Sequence, residues 1–218
     1  MIKQSSRHIL LIEPAEFHFN PDTAETNQYQ HNDTRNHDLI VTDAVAEFRR
    51  FRNKLVEKGV YVTTFKGREG CPDHIFANWF STHADGTMNI YPMLAKSRQD
   101  ERVPSMIKTL ERSYTIKHDF TQHENNEVYM EGVSSIVLDR VNKIGYSALS
   151  PRTSKELVTE WAEKMGYQLL TFETENHVGK PVYHSDLIIH IGTDFAAVFA
   201  FYRFDDDTIG VAILHIFC

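Results

Sequence analysis

The sequence predicts an α/β fold built from repeated ββαβ units. A segment with helical periodicity followed by a short apolar strand occurs three times. Two further strand-like runs precede the second helix, and another two precede the third. The equivalent residues Glu57, Glu111 and Glu163 are 54 and 52 residues apart. A period of about 53 residues is typical of an array of similar supersecondary units. We therefore expect three complete units and a partial fourth.

Three amphipathic helices are indicated by apolar stripes and by residues that start or stop a helix. The first is predicted over residues 42–58 and stops at Gly59, a residue type that is common at helix C-termini. The second, over residues 104–112, opens on a proline, which suits a first helical turn. The third begins after Ser154 and ends at Gly166.

Short apolar runs bounded by turn residues predict the strands. Asp85-Gly86 is a hairpin signal between the two strands that precede the second helix. The fourth unit has strand-like runs but no amphipathic helix, so we expect it to be partial. The polar stretch from Asn20 to His37 predicts a surface loop, with a length typical of loops that cover a site. The strands that follow the three helices are predicted to end near Phe65, Phe120 and Phe172. The other predicted strands cover residues 9–12, 75–80, 88–91, 133–139, 144–148, 183–191, 195–201 and 208–216.

Charge and cysteine content exclude several functional classes. The chain has 23 Lys and Arg against 30 Asp and Glu, a net charge of −7, and its basic residues do not cluster. Nucleic acid is not an expected partner, because phosphate binding needs clustered positive charge. The apolar run at residues 9–12 is too short to span a membrane, and two cysteines indicate a reducing, cytoplasmic compartment. The sequence contains no metal-binding motif, so we expect no metal and no other cofactor.

A histidine and a glutamate are the candidate catalytic residues. Glu131 and His184 each lie at the predicted start of an apolar strand. A carboxylate and an imidazole in such positions form a suitable acid/base pair for a cysteine nucleophile. The two cysteines fit that role poorly. Cys71 has no helix N-terminus or cationic cluster nearby in sequence to lower its pKa, and Cys218 is the last residue.

Five segments, in the same order along the chain, resemble the pentein superfamily of guanidine-modifying enzymes, whose fold is an α/β-propeller of ββαβ units. Their sequence motifs look most like those of the arginine-deiminase-related amidinotransferase family, which includes citrulline-utilisation hydrolases. Together the segments extend over nearly the whole chain. They are residues 17–24, 78–83 with 85–87, 131–140, 148–153, and 183–186 with 191–195.

The resemblance implies a covalent mechanism. A cysteine attacks the guanidinium carbon, a histidine protonates the departing amine, and the thiouronium intermediate is released to water or to an acceptor amine. By resemblance His184 is the acid/base. Glu131 is the carboxylate that orients the histidine or holds the guanidinium, and Asn78 lies beside the guanidino end of the substrate.

Two arginines and an aspartate complete the site that the resemblance implies. Arg98 and Arg152 are expected to hold the α-carboxylate of the substrate, which suits the bidentate geometry of a guanidinium group. Asp186 follows His184 by two residues, so both would lie on the same face of the predicted strand, and Asp186 would accept a guanidinium N–H. The expected partner is a small guanidino or ureido amino-acid substrate.

The sequence differs from the family motifs at three places, and these differences affect the expected identity of the substrate rather than the expected fold. A single asparagine, Asn78, stands where a pair is typical. Val133-Ser134 replaces a Thr-Gly step after the glutamate, and Ser185-Asp186 replaces Thr-Asn after the histidine. An aspartate after the histidine is nevertheless typical of the wider superfamily.

The function predicted from these residues is that of a guanidino-group hydrolase or amidinotransferase. In this family the nucleophilic cysteine lies in a fifth unit, beyond residue 218. We therefore expect residues 1–218 to form a single, incomplete domain that is truncated before its nucleophile and is inactive alone. The alternative is a non-catalytic pentein-like remnant that binds a ligand or a partner. An open array of units exposes sheet edges, which also allows a homo-oligomer.

Overall fold

The computed structural model describes residues 3–176, 178–203 and 209–216. Within these ranges the chain has a mixed α/β fold, as the sequence predicts. It divides into two compact units, one formed by Ser6–Thr121 and the other by Met1–Ser5 together with Gln122–Cys218. None of the helices in the described ranges is long and apolar enough to cross a membrane.

The unit Ser6–Thr121 contains two small sheets. Its elements are β1 (His8–Glu13), α1 (His37–Glu57), β2 (Tyr61–Lys66), β3 (Phe80–Thr82), β4 (Thr87–Ile90), α2 (Lys96–Gln99), α3 (Pro104–Leu110) and β5 (Thr115–Asp119). Strands β1 and β2 pair in parallel across the connection made by α1. In the second sheet β4 lies between β3, to which it is antiparallel, and β5, to which it is parallel.

The second unit also contains two described sheets. Its elements are α4 (Gly132–Ser135), β6 (Val137–Asp139), β7 (Ile144–Ala148), α5 (Lys155–Met165), β8 (Gln168–Phe172), β9 (Ile189–Ile191), β10 (Ala196–Arg203) and β11 (Ile209–Ile216). Strand β7 is antiparallel to β6 and parallel to β8, and α5 connects β7 to β8. The other sheet has the order β11-β10-β9 and is antiparallel throughout.

The predicted ββαβ unit is present twice. In β3-β4-β5 and again in β6-β7-β8, an antiparallel hairpin is followed by a helical connection to a parallel third strand. Before α1, in contrast, the structure has the single strand β1. The count of three complete units is therefore not confirmed, and the described residues do not form a closed barrel or propeller.

The ends of the helices follow their capping residues. Helix α1 begins at His37 rather than at residue 42, because the Asn36 side chain accepts hydrogen bonds from two backbone N–H groups in the first turn. Helix α3 begins on Pro104, as predicted, and ends at Leu110. Gly166 ends α5 in the left-handed conformation, with φ 68°, where a side chain would add strain.

The predicted surface loop is only partly exposed. Residues 31–36 are exposed, but Asn20 and Thr23 near its start are buried. The Asn20 side chain donates a hydrogen bond to the carboxylate of Asp73 at 2.8 Å. Polar side-chain contacts therefore hold the first part of the loop against its own unit, and a role in covering a site stays a prediction.

Three predicted strands are wrong over part of their length. Residues 75–79 form turns, and the strand begins at Phe80. Residues 133–135 belong to the short helix α4, and residues 185–187 form a 3-10 turn before β9. Short apolar runs cannot by themselves separate strands from other buried segments. The prediction for Ile144–Ala148 is confirmed, as is the hairpin at Asp85-Gly86.

The core of the second unit lies on both sides of the segment that contains His184. Val182 and Ile188 are buried in one apolar cluster with Ala148 of β7 and Ile189 of β9. Because apolar contacts anchor the chain just before and just after His184, the position of this residue is fixed by the core.

Candidate active site

A buried histidine–glutamate pair forms the centre of the candidate site. The Nε2 atom of His184 lies 2.7 Å from Oε2 of Glu131. Glu131 is 0% exposed and His184 is 5% exposed. When Nε2 bonds to the carboxylate, Nδ1 is the ring nitrogen that can take up or release a proton. A buried carboxylate in this position also orients the imidazole ring.

Arg152 contacts the same carboxylate oxygen as His184. Its Nη1 atom lies 3.5 Å from Oε2 of Glu131, and its guanidinium carbon lies 4.5 Å from the centre of the Tyr183 ring. The Tyr183 ring in turn meets the His184 ring edge to face, with 4.7 Å between their centres. The guanidinium of Arg152 is thus buried between a carboxylate and an aromatic face, two environments that favour a cation.

Hydroxyl groups adjacent to the predicted residues hold the pair in place. Ser135 Oγ accepts hydrogen bonds from the backbone N–H of Glu131 and from the hydroxyl of Thr153, each at 2.8 Å. It donates to the backbone carbonyl of Arg152 at 3.2 Å. Ser185 Oγ donates to the carbonyl of Ser135 at 2.7 Å. Three chain segments are therefore joined through one serine.

The sequence reasoning missed these hydroxyl residues. Their signal in the sequence is only that Thr153 and Ser185 each directly follow a predicted site residue, and that Ser135 closes the turn after Glu131. Hydroxyl residues in such positions are common in turns, so this signal is weak.

Asp186 lies near His184, but not for the reason that the sequence suggested. The expected strand is a 3-10 turn at Ser185–Leu187, so the two residues do not share a strand face. Asp186 Oδ2 instead accepts a hydrogen bond from Ser134 Oγ at 2.7 Å. Burial raises the pKa of the Asp186 carboxyl, while the charge of His184, the Ser134 hydroxyl and the charge of His190 act in the opposite direction.

Asn78 and Arg98 lie in the unit Ser6–Thr121 and are both bonded to the carbonyl of Phe76. The Asn78 backbone N–H donates to that oxygen at 2.6 Å and the Arg98 Nη2 donates to it at 2.5 Å. Arg98 also forms a buried ion pair with Glu101, with 2.7 Å between Nε and Oε1. The charge of Arg98 is therefore balanced within its own helical segment, and a role in substrate binding stays a prediction for both residues.

Cys71 does not have the properties of a catalytic nucleophile. It is buried, and burial together with the negative charge of Glu101 raises the pKa of its thiol to about 11. The thiolate is the reactive form of cysteine, so Cys71 is nearly inert at neutral pH. Cys218 lies outside the described residues. Over the ranges that the structure describes, no group of three or more His, Cys, Asp or Glu side chains could hold a metal ion.

The Glu131→Gln variant tests the energetic role of the buried carboxylate. We expect it to lower the free energy of unfolding by about 3 kcal/mol, because it leaves Arg152 buried beside a neutral group. Urea denaturation measures the change. Asp33→Asn is the matched control, since it removes the carboxylate of an exposed pair with Arg35 and should change stability little. Equal effects of the two substitutions would contradict the role of burial.

Alkylation with iodoacetamide tests the state of Cys71. In a Cys218→Ser background, Cys71 should react slowly at neutral pH and faster as the pH approaches about 11, where its thiolate forms. Mass spectrometry follows the reaction, and the urea-unfolded chain supplies the rate of an ordinary thiol. Rapid alkylation of the folded chain at neutral pH would show that the thiol is activated.

Comparison with known proteins identifies a family and several similar folds. The model of the family described as "N,N dimethylarginine dimethylhydrolase, eukaryotic" matches residues 13–202. Among curated proteins no significant match is found. Solved structures match at low sequence identity and therefore support the fold.

Three of these structures illustrate the likeness. The substrate-bound N-terminal domain of ArgZ, an arginine dihydrolase from cyanobacteria, is 16% identical with a TM-score of 0.65, over 84% of this chain and 62% of that one. A cysteine-to-serine variant of dimethylarginine dimethylaminohydrolase from Pseudomonas aeruginosa, complexed with citrulline, is 18% identical with a TM-score of 0.59, over 84% of this chain and 65% of that one. Unliganded AgrE is 17% identical with a TM-score of 0.65, over 87% of this chain and 26% of that one.

The chain spans less than two thirds of the length of these structures. The family match, in contrast, extends over most of the present sequence, including Glu131, Arg152 and His184. The chain therefore belongs to the N,N-dimethylarginine dimethylhydrolase family, within the pentein superfamily of guanidine-modifying enzymes that its sequence resembles.

Proposed function

We propose that this chain carries the acid/base and ligand-binding part of an enzyme that modifies guanidino groups, of the arginine- or citrulline-type hydrolase or amidinotransferase kind. The observation that supports this most directly is the buried Glu131 carboxylate, which is shared by His184 and Arg152. Family membership gives the proposal its chemical context.

His184 acts as the proton carrier in the proposed reaction. A cysteine thiolate forms a C–S bond to the guanidinium carbon, and the C–N bond breaks as the imidazolium of His184 gives its Nδ1 proton to the departing amine. In the second half, His184 takes a proton from the attacking water or acceptor amine while the C–S bond breaks. Glu131 holds the ring through Nε2 in both halves, which keeps Nδ1 available.

The substrate of the proposed reaction is a small amino acid with a guanidino or ureido group. The related proteins support this class, because ArgZ is described bound to its substrate as an arginine dihydrolase and the Pseudomonas enzyme is complexed with citrulline. In this chain Arg152 holds the carboxylate end of the ligand, and Asp186 accepts an N–H from the guanidino end.

We further propose that the 218-residue chain, which we treat as one pentein-type domain, binds its ligand without completing turnover. Cys71 is buried with a raised thiol pKa, so it does not supply the thiolate. The alternative is a non-catalytic binding role in which the same residues hold a ligand and no proton is transferred.

Ligand binding and turnover separate these possibilities. We expect L-arginine to bind to the wild-type chain in isothermal titration calorimetry, without release of citrulline or ammonia. Arg152→Lys keeps the charge but loses the planar fork, so affinity should fall roughly tenfold. Arg112→Ala, at an exposed position, is the control and should bind as the wild type does.

Each contrary outcome has a definite meaning. If arginine, dimethylarginine and citrulline all fail to bind to the folded wild-type chain, the proposed function is wrong. If citrulline is released and the activity survives Cys71→Ser combined with Cys218→Ser, neither cysteine of this chain is the nucleophile and the thiouronium route within the chain is excluded.

A further inference from the structure

A second contact runs beside the contact between Glu131 and His184. Glu131 precedes α4 and His184 precedes the 3-10 turn Ser185–Leu187. One residue inside each of these elements, Ser134 and Asp186, forms a hydrogen bond of 2.7 Å between Oγ and Oδ2. Ser134 is 4% exposed, whereas Asp186 is only partly buried. The buried hydroxyl thus holds a carboxyl group that is itself less deeply buried than the hydroxyl.

The charges around Asp186 come from a small set of groups. His184 and, on β9, His190 lower the pKa of the carboxyl, while burial raises it by a larger amount. The Ser185–Leu187 turn packs against α4, β7 and β9. Glu131, just before α4, adds a carboxylate, and the ionisable residue within β7 is Tyr146. Among the residues that the structure describes, the ionised form of Asp186 therefore has no arginine partner like the one that Arg152 offers to Glu131.

The hydrogen bond from Ser134 determines what the second oxygen of Asp186 can do. In the ionised state the Ser134 hydroxyl donates to Oδ2, and Oδ1 stays able to accept hydrogen bonds from a ligand. A neutral carboxyl instead carries an O–H donor and has less capacity to accept. A guanidinium group offers only N–H donors, whereas a ureido group also offers a carbonyl acceptor.

We propose that Ser134 is a positioning residue that holds Asp186 as a carboxylate facing the ligand, and that this pair makes the site favour a cationic guanidinium group over a neutral ureido group. The inference rests on the proposed function, because it concerns the ligand of the same site. Ser134 acts through Asp186 and does not itself contact the substrate.

The pH dependence follows from the direction of the Asp186 pKa. Burial disfavours the ionised form of the carboxyl and raises its pKa, so protonation competes with a guanidinium ligand as the pH falls. A guanidinium ligand binds the ionised form, so binding releases a proton and affinity rises with pH until Asp186 is ionised without the ligand. Removing the Ser134 donor raises the Asp186 pKa further, which shifts this rise to higher pH.

Calorimetric titration of L-arginine and L-citrulline between about pH 4 and about pH 8 tests the proposal on four variants of the full chain. They are Ser134→Ala, Asp186→Asn, the combination of both, and the control Ser113→Ala at an exposed site. In Ser134→Ala the ratio of arginine to citrulline affinity should fall roughly tenfold, the loss of one hydrogen bond to a charged group. In the Asp186→Asn background, Ser134→Ala should add no further change.

A ligand-free measurement keeps this inference separate from the proposed function. Carboxyl-carbon NMR should show a higher Asp186 pKa in Ser134→Ala than in the wild type or the control. If Ser134→Ala does not fold, Ser134→Cys keeps a similar shape with a weaker donor and should shift both readouts in the same direction.

The contrary results are distinct. If no ligand binds to the wild type, the proposed function and the selectivity are both wrong, while the NMR titration still decides whether Ser134 acts on Asp186. If arginine binds but the affinity ratio and the Asp186 titration are unchanged in Ser134→Ala, the inference is wrong and the proposed function stands. An equal loss of arginine affinity from Ser134→Ala in the presence and absence of Asp186 would show a merely structural role.

Discussion

The buried carboxylate of Glu131 is the constraint on which the rest of the candidate site depends. A carboxylate without solvent is costly unless charged or polar groups compensate it. Here a single oxygen, Oε2, faces both the imidazole of His184 and the guanidinium of Arg152. Because these three residues come from three separate segments, the burial of one charge requires the chain to bring all of them together.

The fold meets this requirement with neutral hydrogen bonds and apolar packing. Ser135 Oγ bonds to the backbone of Glu131 and to the backbone of Arg152, and Ser185 bonds the histidine segment to the Ser135 carbonyl. Val182 and Ile188 anchor the same segment in the core. The geometry of the site is therefore set before any ligand arrives, which is the condition for efficient proton transfer and ion recognition.

The sequence predicted elements well where a single residue type has a local effect. Pro104 and Gly166 mark helix ends because each restricts or permits a backbone conformation regardless of its surroundings. The run at residues 133–139 was misleading because its apolar residues suit a strand as well as a buried turn. The chain forms α4 there, and the side chains of Ser134 and Ser135 bond to partners distant in sequence, contacts that a local pattern does not reveal.

Of the candidate site, the sequence predicted three charged residues that lie together, but not the residues that support them. The resemblance identified Glu131, Arg152 and His184, which the structure brings together. The departures at Val133-Ser134 and Ser185-Asp186 were separate features in the sequence, whereas the structure joins them in one hydrogen bond. Arg98 was also predicted to bind the substrate, but the structure places it in a buried ion pair with Glu101. The charge pattern of the sequence does not reveal that burial.

The tautomer of His184 tests the central claim most directly. Nitrogen NMR of the imidazole, at a pH where the ring is neutral, distinguishes a proton on Nε2 from a proton on Nδ1. If the Glu131 carboxylate orients the ring, the proton is on Nε2 in the wild type, and Nδ1 is unprotonated and able to act as a base. A proton on Nδ1, or a substantial population of both tautomers, would contradict the account.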